Sequence, residues 1–327
     1  MSSKSYVIEI NEKELSILFS LTNNITANPS EDAELFCNQS KEMSRLVPKR
    51  IRELLHNFVL HGSDSGFIIF KNIELDENTI PETPPGNNYK IGETTVLARI
   101  QSILINVMGE MIAYEAEGYG RLFQDIAPVK DMANVQTSIG SSELEIHTEQ
   151  AFSKLKPDIL SLACLRGDEN ALTYILPVNK IMDNLDENEI KMLYEPLWKT
   201  GVDLSFKLNG NEFIDGDVRG PLSILNGNQF DPRLIFDQDL MTGITEESNN
   251  MIKKIVDIYY KNRFQHNLKS GEIIFIDNNR AVHGRSSFSP KYDGNDRFLI
   301  RCFATLDLEK SYYARTNNNR MISAIYS

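Results

Sequence analysis

Apolar residues recur at three- and four-residue intervals over residues 14–24 and again from 34 to about 60, the spacing that gathers them on one face of a helix. Both stretches are therefore predicted as helices. Residues 66–70, GFIIF, form an apolar run of strand length and predict a short buried strand. Residues 80–88, IPETPPGNN, hold three prolines and a glycine and predict a loop, because proline donates no ladder hydrogen bond. That loop is either a lid or a plain connection. Residues 95–116, TVLARIQSILINVMGEMIAYEA, are amphipathic and predict one long helix packed on a sheet.

From residue 143 the texture changes. Short apolar runs of strand length follow one another: LEIH, DILSLACL, LTYILPV, LSFKL, PLSILNG, GEIIFID and RFLIRCFATL. Helical patches interrupt them only at 185–197 and 246–262. Many short strands with turn signals between them point to a barrel or a double-sheet jelly roll, not to alternating strands and helices. The predicted fold is mainly β with flanking helices. It is read as one domain, 1–327, with a mostly helical part at 1–117 and a jelly-roll core at 118–310. No internal repeat is present, and the tail at 311–327 is polar and uninformative.

Composition narrows the function. With 41% hydrophobic and 24% charged residues, the 327-residue chain is neither disordered nor low in complexity. Its 46 acidic and 34 basic residues leave a net charge of −12, and with no basic stripe this disfavours nucleic acid as a partner. An acidic surface tolerates cationic partners, and a homo-oligomer is compatible with it. No apolar run reaches the roughly 18 residues of a membrane span, and MSSKSYVIEINEKEL carries charge where a secretion signal is apolar. The expectation is a cytoplasmic protein with no membrane partner. Cys37, Cys164 and Cys302 show no CxxC spacing, which argues for buried thiols and against a disulfide framework or a thiolate metal site.

Three constellations carry chemistry. His147 and Glu149 stand two apart in a strand-like stretch, so both side chains project from one side, which suits two ligands of one metal. Taken alone the spacing is weak, since five histidines and 46 acidic residues give about 0.7 such matches by chance. His283 follows a buried strand and a polar turn and is the candidate third ligand. Two imidazoles and a carboxylate leave three adjacent open positions on an octahedral ion, the arrangement of non-haem iron oxygenases. A zinc hydrolase also uses such ligands, but its usual HExxH on a helix is absent. His56, His61 and His266 lie in helical or loop texture and read as surface or satisfied core residues.

The third constellation is in RFLIRCFATL, where Arg297, Leu299, Arg301 and Phe303 alternate onto one face and Phe298, Ile300 and Cys302 onto the other. Both faces are too apolar for solvent, so the two arginines point inward, and a buried guanidinium needs an anion. Arg297, 14 residues beyond His283, suits a small dicarboxylate that also chelates the metal. An internal ion pair with Asp or Glu stays open for both arginines.

The stretches ELEIHTEQAF, FIDNNRAVHGR and YDGNDRFLIR resemble the clavaminate synthase-like branch of Fe(II)/2-oxoglutarate oxygenases, specifically bacterial hydroxylases of free L-lysine and L-arginine. The resemblance covers roughly residues 120–308. It implies that His147, Glu149 and His283 ligate Fe(II), with O₂ as co-substrate. It implies that Arg297 grips the distal carboxylate of 2-oxoglutarate, with Thr173 bonding the same molecule, and that Arg301 holds the α-carboxylate of the amino acid. Ser138 falls at a contact to the amino-acid backbone. Glu117 falls where the family's arginine hydroxylases use a glutamine for the substrate amine, and Glu149 also reaches the substrate. Asp203, Asp237 and Asp239 match acidic contacts to the cationic tail; Asp237 and Asp239 face the same way if their segment is extended. Trp198, near Asp203, reads as a packing residue.

The implied reaction is hydroxylation of an unactivated C–H bond of a basic amino acid, with succinate and CO₂ as co-products. Overall likeness to bacterial lysine hydroxylases favours free L-lysine, at C4 in preference to C3. The alternative within the class is an L-arginine C3 hydroxylase. The alternative of another class is a non-catalytic jelly-roll module binding a metal or small acid, which predicts that both inward arginines pair with protein carboxylates.

Overall fold

The computed structural model describes residues 6–203, 206, 218–315 and 319–326. The chain opens with strand β1 (Val7–Glu9) and helices α1 (Glu12–Thr22), α2 (Ala33–Ser44) and α3 (Lys49–His61). The expected helix at 34–60 is thus two helices, because Pro48 cannot continue the first and instead starts the second. Strand β2 (Phe67–Lys71) covers the GFIIF run. Helix α4 (Val96–Met108) is shorter than the pattern predicted, and residues Glu110–Tyr114 form strand β3. Gly109 makes the break: it is extended, and any Cβ there would meet the Thr305 carbonyl oxygen at 2.4 Å, so backbone packs directly on backbone.

Strands β4 (Gln124–Ile126), β5 (Leu144–His147), β6 (Ile159–Arg166) and β7 (Leu172–Pro177) follow. Next come helices α5 (Val178–Met182) and α6 (Glu187–Leu193), the first of them unread in the sequence, and strands β8 (Trp198–Gly201) and β9 (Val218–Leu222). Strands β10 (Leu225–Asn228), β11 (Asp231–Leu234) and β12 (Met241–Gly243) lead to helix α7 (Glu246–Asn262). The chain ends with β13 (Phe264–Asn267), β14 (Ile273–Asp277), β15 (Ala281–Arg285), β16 (Phe298–Thr305) and β17 (Met321–Ile322). The run LSFKL at 204–208 lies, apart from Phe206, outside the described residues. The polar tail is not inert: β17 pairs in parallel with β3.

Two sheets form the body. The major one runs β1-β2-β14-β6-β16-β3-β17 with β4 also on β16, and the minor one runs β13-β7-β15-β5. Their inward side chains share one apolar core, which takes Ile274, Ile276, Leu299 and Phe303 from the major sheet and Ile175 and Ala281 from the minor. The outer face of the major sheet packs Phe298, Ile300 and Cys302 against α1 to α4. The outer face of the minor sheet packs Ile146, Tyr174 and Val282 against α5, α6 and α7, in a third core that also buries Trp198. This is the expected jelly roll with flanking helices. Residues 1–117 supply α1 to α4 and also three strands of the major sheet. The three cysteines are free and buried, and no helix among the described residues is long and apolar enough to cross a membrane.

Candidate active site

The strand register decides which side chains meet. On β5 and β15, antiparallel neighbours, His147 pairs directly with His283. Ile146 and Val282 face the outer core, so alternation turns both imidazoles inward, with ring centroids 4.4 Å apart. Glu149 comes two residues later, beyond the end of β5, and its Oε2 lies 3.4 Å from Nε2 of His283. One potential ligand atom from each of His147, Glu149 and His283 lies within 4.8 Å of the others. Nδ1 of His147 is 2.9 Å from the Glu145 carbonyl, which only accepts, so that nitrogen carries a proton and Nε2 is the one available to ligate a metal.

The protonation states suit a divalent cation. Burial pushes the Glu149 carboxyl up, but Arg301, His283 and His147 outweigh it and hold the group at about 2. Burial and the neighbouring His147 bring His283 down to about 4, against the pull of Glu149. At neutral pH the cluster therefore offers one carboxylate and neutral imidazole, the forms that bind metal.

Glu149 has left its strand, and its backbone would lack ladder partners. The fully buried Asn278 side chain supplies them: Oδ1 accepts from the Glu149 N–H at 2.8 Å, and Nδ2 donates to the Glu149 carbonyl at 3.1 Å and to that of Pro157 at 2.7 Å. Sequence reasoning missed this residue, although it stands inside FIDNNRAVHGR, directly after a buried strand. Asn278→Asp puts an acceptor against those two carbonyls. Calorimetric titration with Mn(II) is expected to show metal affinity about 10–100-fold lower, the usual cost of losing an outer partner of a metal ligand. An unchanged affinity would show that Glu149 holds its place unaided.

Around the cluster lies a cavity of about 530 Å³ lined by side chains from both sheets. Every residue the sequence marked for the site borders it: Glu117, Ser138, His147, Glu149, Thr173, Asp203, Asp237, Asp239, His283, Arg297 and Arg301. At one end is Arg297, 6% exposed and without a carboxylate partner among the described residues. Burial lowers its guanidinium to about 10. In the same cavity, Oγ1 of Thr173 is buried with no hydrogen-bond partner among the described residues. A cation without an anion and a hydroxyl without a partner are groups that an external carboxylate completes. The residues present therefore fit a keto acid at this end and a metal ion at the His–Glu–His cluster.

Arg301 has a different environment. Its guanidinium contacts Glu117 and Gln124 and lies 3.1 Å from Glu149, so two protein carboxylates compensate it. The internal ion pair left open for both arginines is formed by one of them only. Burial raises the Glu117 carboxyl despite Arg301, and Gln150 donates to its other oxygen at 2.7 Å.

The acidic end is made by Asp203 and Asp237, neither of which meets a lysine or arginine among the described residues. Burial raises Asp203 well above the carboxylate range, reinforced by Asp237, Glu117 and Glu149. Burial raises Asp237 too, opposed by His147 and by the Leu240 N–H, which donates at 2.8 Å. The segment is not extended: residues 238–240 turn, leaving Asp237 buried and Asp239 exposed at the rim. Asn87, from the proline-rich loop, also borders the cavity. The other histidines have no part in it. His56 and His61 are exposed, and His266 bonds Glu272 at 2.8 Å.

Residues 63–303 match the family model described as Taurine catabolism dioxygenase TauD, TfdA family. The chain belongs to the TauD/TfdA family. It is 42% identical over 99% of its length to an L-lysine 3-hydroxylase of Catenulispora acidiphila, covering 90% of that protein. To an L-lysine 4-hydroxylase of Flavobacterium sp. (strain CF136) it is 27% identical, over 90% of this chain and 82% of the other. A solved structure of asparagine oxygenase with Fe(II), 3-hydroxyasparagine and succinate superposes with a TM-score of 0.90 at 27% identity, covering 98% of this chain and 99% of that one. As a TauD/TfdA member with these relatives, the chain is an Fe(II)- and 2-oxoglutarate-dependent dioxygenase that hydroxylates an amino acid.

Proposed function

We propose that this dioxygenase hydroxylates free L-lysine at C3. The observation that carries a basic amino acid is the charge inventory of the cavity: carboxyls of Asp203 and Asp237 with no lysine or arginine partner among the described residues, and in the same cavity a buried Arg297 with no carboxylate partner among them. A carboxyl whose ionised form burial disfavours is completed by an ammonium, whose charge favours that form. Support for C3 over the C4 expected from sequence is the 42% identity to the L-lysine 3-hydroxylase, against 27% to the 4-hydroxylase.

In this reading His147, Glu149 and His283 hold the iron, and Arg297 with Thr173 holds 2-oxoglutarate. Bound iron and 2-oxoglutarate supply the oxidising chemistry: the keto acid is decarboxylated to succinate and CO₂, and one oxygen atom of O₂ enters a C–H bond. The remaining residues orient the substrate. Its α-carboxylate and α-ammonium meet Arg301 and Glu117, an ion pair already present, with Ser138 and Glu149 beside them. Its tail meets Asp203 and Asp237, with Asp239 at the rim. Held at both ends, the chain presents one methylene to the metal, and a displacement of about 1 Å changes which carbon reacts.

Incubation with Fe(II), 2-oxoglutarate, O₂ and either L-lysine or L-arginine tests this, with succinate counted and the hydroxyl located by NMR. The expected result is 3-hydroxylysine, one per succinate. A 4-hydroxylated product overturns the position, and turnover of arginine alone overturns the substrate.

A further inference from the structure

Three buried guanidiniums border the cavity, and the third of them, Arg285, has no place in the proposed reaction. It stands two residues past His283 on β15 and is 4% exposed. Like Arg297, it has no carboxylate partner among the described residues. Its side chain is nevertheless held firmly. Nε donates to the Ser286 carbonyl at 3.1 Å, Nη1 to that of Ser138 at 3.2 Å and Nη2 to that of Ser142 at 2.6 Å. Carbonyl dipoles fix an orientation but neutralise no charge, and one N–H on each terminal nitrogen stays uncommitted.

Arg285 and Arg297 share a neighbour, the Phe288 ring, whose centroid lies 5.0 Å from the first guanidinium carbon and 6.0 Å from the second. Two like charges are thus buried against one ring, neither with a carboxylate partner among the described residues, and burial leaves their repulsion little screened. Arg301, on the same wall of the cavity, shows that the fold supplies carboxylates where it needs them.

We propose that Arg285 is a second cation for the far carboxylate of 2-oxoglutarate, reinforcing Arg297 through its charge. The inference rests on the reading of Arg297 given above. A neutral loop strut is the competing role, since Arg285 also ties β15 to residues 138–142.

The discriminating quantity is a ratio of affinities. The Fe(II)-loaded protein is titrated anaerobically, followed by its charge-transfer absorption, with 2-oxoglutarate and with 2-oxopentanoate, the same keto-acid chain without the far carboxylate. Arg285→Gln is expected to narrow the preference for 2-oxoglutarate about tenfold, and Arg285→Lys, which keeps the charge, to retain most of it. A strut alone weakens both acids alike, and an unchanged ratio in Arg285→Gln overturns the proposal. So does a loss in Arg285→Lys equal to that in Arg285→Gln. Arg285→Met replaces the glutamine variant if circular dichroism shows the latter unfolded. Arg297→Gln is the reference: if it leaves the ratio unchanged, the reading of this end of the cavity falls, whereas a collapse there with none at Arg285 removes this inference only.

Discussion

Replacing His283 with alanine is expected to abolish lysine-dependent succinate formation and to lower Mn(II) affinity by more than the roughly 10–100-fold that outer partners of a metal ligand are worth. The reason lies in the β5–β15 register, which sets the two imidazoles opposite each other and leaves no second donor to replace one of them. Among the described residues the only grouping of three such side chains is His147, Glu149 and His283. The fold should survive, because Val282 and Ala281 still fill the cores on either side of β15. Circular dichroism of the variant confirms that its loss of function is local. Retained turnover, or metal affinity equal to that of the parent, would remove the metal centre from this cluster.

Arg297→Ala is expected to weaken 2-oxoglutarate by at least about 100-fold, since hydrogen bonds to a charged partner contribute about 1.5–3 kcal/mol each and a guanidinium offers two in parallel. The same change should cost the ligand-free protein little. Truncating a large buried side chain ordinarily costs several kcal/mol, but here an uncompensated buried cation goes with it, and the two effects oppose each other. Thermal melts with and without 2-oxoglutarate separate them: the ligand-free melting temperature stays close to that of the parent, while the rise on adding the keto acid disappears. Unaltered binding of 2-oxoglutarate with weakened binding of lysine would exchange the roles given to Arg297 and Arg301.

Much of this site is legible in the order of residues. Strand alternation alone places Arg297, directly before β16, on the face of Leu299, Arg301 and Phe303, and the two apolar cores divide the strand as expected. The HxE spacing and the distant His283 are equally visible, although weak without the resemblance that joins them. Where reading failed, a long-range contact had intervened. Residues 110–114 carry an apolar pattern that suits a helix as well as a strand, and they become β3 because Gly109 lets the chain pack on the Thr305 carbonyl. Asn278 and Arg285 looked like ordinary polar residues beside a strand, since what makes them matter is the free backbone of Glu149 and the pair of uncompensated charges at Phe288.

The chain by itself determined the strand periods, the inward faces and the types of donor available, because these follow from spacing along a regular backbone. Only the tertiary structure decided partnership. Arg297, directly before β16, and Arg301, within it, lie four residues apart on one face, yet Arg301 meets two carboxylates and Arg297 none among the described residues. That difference comes from Glu117, nearly two hundred residues earlier, and from Glu149, which the sheets bring to Arg301 and not to Arg297. Periodicity tells a side chain which way to point, and it is the closure of distant segments around the cavity that determines what waits there.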